Sequence, residues 1–91
     1  MTIAGMNDFQ EKCKQALIKW FEEYEGFAPA MDEIFIVWSC KTLQNYKCLV
    51  STSLPIELYA EYTYNGDKEE LYEDVYDKRS NRVIAGRDWV N

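Results

Sequence analysis

One helical stripe near the start, followed by short runs of period two, constrains this chain more than any other feature. Phe9, Cys13, Ala16, Leu17, Trp20, Phe21 and Tyr24 recur three or four residues apart, on one side of a 3.6-residue helix. The spacing predicts a helix over about 7–25. Asn7 is placed to accept from a free N–H of the first turn, and Gln10 three residues later completes a capping-box pattern. Gly26 suits the left-handed position beyond the last turn. Such a helix cannot bury its apolar side alone, so the rest of the chain must supply the opposing surface.

That surface reads as antiparallel sheet. Pro29 blocks helix continuation, and Ile34 to Lys41 is rich in β-branched and aromatic residues and short for a buried helix. Strands are expected at about 33–42 and 46–53, joined near Gln44, which would set Cys40 opposite Cys48. Pro55 interrupts the chain before a third strand at 57–64. Asn65-Gly66 is the strongest short hairpin signal, because both central positions of the favoured turn need positive φ. A fourth strand at 69–77 would carry Tyr72, Asp74 and Tyr76 on one face and Leu71, Glu73 and Val75 on the other. Leu71, Tyr72, Val75, Tyr76 and Arg79 also lie at helical spacing, so a helix is the alternative there. Ser80-Asn81 reads as a turn, and 82–85 as a short closing strand or tail. The expected architecture is one α+β domain over 1–91, a two-layer sandwich of one helix on three to five strands. Phe9, Leu17, Trp20 and Phe21 would pack on Ile34, Ile36, Trp38 and Val50.

Composition sets limits on function. The 91 residues include three Trp, seven Tyr and four Phe, ample for one modest core. There is no histidine, which removes His-based acid–base chemistry, His-activated nucleophiles and most zinc sites. Cys13, Cys40 and Cys48 have no C-x-x-C spacing and read as small apolar residues, without a metal or disulfide framework. The start of the chain lacks the basic region and apolar run of a signal peptide, and no segment has the length and apolarity of a membrane span. A cytoplasmic protein of a bacterial host cell, with no cofactor and no membrane contact, is the expectation.

The net charge of -6 is unevenly distributed. Residues 57–77 hold eight carboxylates against Lys68 alone, whereas 78–91 hold Lys78, Arg79, Arg82 and Arg87 against Asp88. An acidic body disfavours direct nucleic-acid binding, which needs clustered bases. Glu61, Asp74 and a neighbour could hold Mg²⁺, but the acid-x-Lys spacing of metal nucleases occurs nowhere in the chain, so the plain reading is a solvated acidic face.

The runs Trp38-Ser39-Cys40-Lys41-Thr42-Leu43-Gln44-Asn45 and Thr63-Tyr64-Asn65-Gly66-Asp67-Lys68 resemble a family of small uncharacterised proteins encoded by phages and prophages of Gram-positive bacteria. The resemblance spans most of the chain, to about Ile84. It implies a phage or prophage context and no chemistry, and it carries over no catalytic residue.

Two binding surfaces follow from the residues themselves. Glu61, Glu69, Glu73 and Asp74, interleaved with Tyr72 and Tyr76, would form an acidic aromatic surface for a basic host or phage protein, in the manner of an inhibitor or DNA mimic. Trp38, Lys41, Gln44 and Asn45 around the first hairpin tip would line a small-molecule, nucleotide-like pocket, although loop amides commonly satisfy their own turn. Exposed sheet edges or the Tyr-rich face would equally serve a symmetric dimer.

Overall fold

The computed structural model of the chain describes residues 2–89. A helix, α1 (Met6–Tyr24), is followed by a 3₁₀ turn (Met31–Glu33) and four strands, β1 (Ile34–Thr42), β2 (Asn45–Thr52), β3 (Leu58–Asn65) and β4 (Glu70–Asp77). A short helix, α2 (Gly86–Trp89), ends the described chain. The strands form one antiparallel meander in the order β1-β2-β3-β4, with α1 across one face, so the expected α+β architecture is observed. The Cα envelope is 19 Å in its thinnest direction, room for one helix layer on one sheet and no third layer.

The core lies between α1 and the sheet. Phe9, Cys13, Leu17 and Phe21 of the predicted stripe are fully buried against Ile34, Tyr46, Cys48, Val50, Leu58, Ala60, Tyr62 and Tyr64. Ala16 and Trp20 pack at its margin, and Tyr24 is exposed. Two backbone carbonyls are closed by buried side chains, and one further side-chain pair joins helix to sheet. Ser51 Oγ donates to the Leu58 carbonyl, Thr52 Oγ1 donates to the Glu33 carbonyl, and Gln10 Nε2 donates to Ser39 Oγ at 2.7 Å, tying α1 to β1.

Several expectations are corrected. Asn7 does not cap α1: the N-cap is Gly5, and Asp8 in the first turn reaches back to accept the Ala4 N–H at 2.8 Å. Asp8 also pairs with Lys12 at 2.7 Å; these contacts hold its carboxyl below the usual range. Gly26 takes the expected left-handed conformation, at φ 80°. Trp38 does not face the helix. The ladder passes from Ile36↔Val50 to Trp38↔Leu49, leaving Val37 as the extra residue of a bulge. The bulge reverses the alternation, so Ser39 turns inward and Trp38 and Cys40 turn outward. Cys40 pairs with Lys47 and not with Cys48, because the hairpin closes through the two-residue turn Leu43-Gln44 between Thr42 and Asn45; the buried Cys48 thiol instead meets Cys13 across the helix–sheet interface.

The second hairpin also differs in its turn. Asn65 pairs with Glu70 and a four-residue loop lies between them, with positive φ at Glu69 (52°) and not at Asn65 or Gly66. Asn65 Oδ1 accepts from the N–H groups of Asp67 and Lys68, so the asparagine holds the loop through its side chain. Gly66 is needed for space: an added Cβ would lie 2.2 Å from the Gln44 carbonyl oxygen. Residues 70–77 are strand, with Tyr72, Asp74 and Tyr76 on one face as expected; the helical alternative does not occur. Residues 82–85 form no strand.

Candidate binding face

Because a single helix covers a single sheet, no helix or strand among the described residues lies over the second face of the sheet. Along β1 this face carries Phe35, Trp38 and Cys40; along β2, Lys47 and Leu49; along β3, Tyr59, Glu61 and Thr63; along β4, Tyr72, Asp74 and Tyr76. Phe35, Val37, Trp38, Tyr72 and Tyr76 each expose between 43% and 52% of their surface, a concentration of large side chains that scattered exposure would not produce. Tyr59 stands directly opposite Tyr76, and Tyr72 opposite Thr63. At one end the loop after β2 rises beside the sheet, and Phe35, Val37, Leu54, Ile56 and Tyr59 line a shallow hollow there.

The charges on this face are few and specific. Glu61 and Asp74 are cross-strand partners, an arrangement in which like charges cost stability. Lys47 lies 3.5 Å from Glu61 and offsets part of that repulsion. Asp74 has no ion-pair partner within the described residues, so a cation arriving from outside would relieve the pair. The Tyr72 hydroxyl donates to the Glu70 carboxylate, which raises the phenol pKa and orients the ring's rim.

Not all of the expected acidic surface comes together. Glu61, Tyr72, Asp74 and Tyr76 share the open face. Glu73 points to the helix side, where it accepts the hydroxyl of buried Tyr62 at 2.5 Å. Glu69 sits in the second loop and borders a groove between α1 and β4 with Trp20 and Leu71. Phe35, Val37 and Leu49 are members of the face that period-two reading alone did not single out. The signal for Phe35 was available in its alternation with Ile34 and Ile36, ahead of the bulge; the signal for Trp38, beyond it, was concealed.

The hairpin-tip cluster has a different role. Gln44 Nε2 donates to Asp67 Oδ1 at 2.7 Å and Asn45 Oδ1 accepts the Gly66 N–H at 3.0 Å, so both amides clasp one hairpin tip to the other. Lys41 donates to the Leu43 carbonyl and lies 5.5 Å over the Tyr46 ring. Trp38 stands apart from these three, on the open face. Among the described residues no group of three or more thiols and carboxylates is placed to share a metal ion, and no helix is long and apolar enough to cross a membrane.

No curated protein and no solved structure matches the chain. A family of unknown function, DUF6275, matches residues 10–86, from the second turn of α1 through all four strands to the first residue of α2. On a match of that extent, the chain belongs to this family.

Proposed function

We propose that the protein acts by binding, not catalysis, and that the open face of its sheet docks a positively charged protein of the phage or its host. One observation carries the reading: Phe35, Trp38, Tyr72 and Tyr76 stand exposed together on an uncovered sheet face, around the cross-strand carboxylates Glu61 and Asp74. Aromatic side chains bring large contact area with few rotatable bonds, and tyrosine and tryptophan are the residues on which binding energy concentrates. The two carboxylates select a partner with Lys or Arg at the centre of its surface, and the overall charge of -6 steers the encounter. Division of the acidic block between two faces places the weight on aromatic contact and less on DNA-like charge. The phage or prophage context rests on the sequence resemblance alone. A small-molecule site at the hairpin tip has less support, because its amides are engaged with each other's loops.

Affinity capture from host lysate tests the reading when run on matched variants. Tyr72→Ala, Tyr76→Ala and Asp74→Lys should each weaken capture of the same partner, on the order of tenfold or more for an anchoring aromatic. Charge reversal at Glu22 and Glu23, on the exposed side of α1 and away from the face, should leave it unchanged. A partner held equally by the Tyr72→Ala and Asp74→Lys proteins contradicts the reading.

A further inference from the structure

A meander has two unpaired edges, and in this chain they are not alike. β1 carries the bulge at Val37 and the cation Lys41, both devices that discourage a neighbouring strand. β4 has neither. It pairs with β3 in unbroken register over eight residues, Leu58↔Asp77 to Asn65↔Glu70, and contains no proline, lysine or bulge. Its helix-side residues Leu71 and Val75 are only half-buried, so it is also the least covered strand on the helix side. Glu70, Glu73, Asp74 and Asp77 run along it. Two β4 strands paired with each other would set carboxylate near carboxylate, so the edge rejects its own kind and suits a basic strand.

Residues 78–87 have the complementary character. Lys78, Arg79, Arg82 and Arg87 flank the apolar Val83-Ile84-Ala85, without an acid among them. Within its own copy the segment is unused: Val83 is 95% exposed, Ile84 49%, and residues 78–85 pair with no strand. The Lys78 N–H donates to the Glu57 carbonyl, so the chain stays on the β3 side through residue 78, leaving only Arg79-Ser80-Asn81 for a reversal. The family match runs through this segment to residue 86.

We infer that residues 82–86 of a second copy add to the free edge of β4 as a fifth strand, and that reciprocal exchange closes a two-fold dimer. With Val83 and Ala85 on the same side of the sheet as Leu71 and Val75, alternation brings Arg82 onto the open face, the side that carries Asp74. The inference rests on the edge of the sheet and not on a docked partner, although Arg82 of the second copy would supply a cation on the side of the sheet that carries Asp74.

Light scattering on the purified chain across a concentration series is the test, against the chain ended after Lys78 and the Val83→Asp and Arg82→Glu variants. The intact chain should approach twice its 10.8 kDa mass, and more weakly at high salt, while all three altered forms stay at the single-chain mass. Hydrogen exchange should show β4 amides protected in the intact chain and released in the shortened one. An intact chain that stays monomeric throughout, or a shortened chain that still dimerises, overturns the inference. A monomer with residues 82–86 protected also overturns it, since the strand would then close on its own copy.

Discussion

At the scale of single residues, the polar contacts that matter are those that leave no buried group alone. Tyr62 is fully buried and its hydroxyl donates to Glu73, so burial and the carboxylate together push the phenol pKa well above the ordinary value. The unfolded chain would release that proton near pH ~10, while the folded chain retains it. The stabilisation is therefore complete below about pH 10 and is lost as pH rises beyond it. Tyr62→Phe should lower stability by about 1 kcal/mol at neutral pH, and its urea midpoint should fall less steeply than that of the native chain in alkaline titration. Asp8 works in the opposite direction: its lowered pKa gives stability present above about pH 4 and lost on acidification, and Asp8→Asn should flatten the acid limb of a thermal-melting profile. Gly66 is a steric requirement. Gly66→Ala would force a Cβ into the Gln44 carbonyl and should cost about 1–3 kcal/mol, read from the shift in the urea midpoint.

At the scale of elements, helix α1 and the strand faces differ in how openly the sequence displays them. The stripe Phe9, Cys13, Leu17, Phe21 is a purely local periodicity and survives intact in the fold. Leu17→Ala, at a fully buried position beneath that stripe, should cost about 2–5 kcal/mol in equilibrium unfolding. Leu71, Tyr72, Val75, Tyr76 and Arg79 also allowed a helix, but given a strand, uninterrupted alternation left the faces of β4, like those of β3, legible. Those of β1 were not. A bulge adds one residue without changing composition, and it inverts parity for everything after it, so Trp38 was assigned to the core; Cys40 was set against Cys48 by centring the hairpin on Gln44, whereas Thr42 pairs with Asn45 across a two-residue turn. The loop at Asn65-Gly66 was legible as a turn but not as to type, because the glycine there answers a contact with Gln44, 22 positions away in the chain. Likewise the helix start could be located but not its cap: Asn7 lies inside the first turn, no side chain caps the helix at Gly5, and Asp8 instead ties back the Ala4 N–H ahead of it.

At the scale of the whole molecule, the decisive quantity is layer count. One helix on four strands leaves a sheet face bare, and the bulge in β1 loads that face with Trp38 in addition to Phe35, Tyr72 and Tyr76. The candidate acidic set was half legible for the same reason: alternation located Tyr72, Asp74 and Tyr76 together, but only the register of β3 on β4 brings Glu61 opposite Asp74 and sends Glu73 to Tyr62. The chain carries its own probe of this arrangement. Cys40 lies on the open face and is exposed, whereas Cys13 and Cys48 are buried beneath α1. Brief alkylation of the native protein with iodoacetamide, followed by peptide mass spectrometry, reads the face directly. The account predicts rapid modification at Cys40 alone, with Cys13 and Cys48 reacting only in denaturant. A native chain in which Cys40 stays unmodified until it unfolds would place β1 in the unbulged register and remove Trp38 from the binding face.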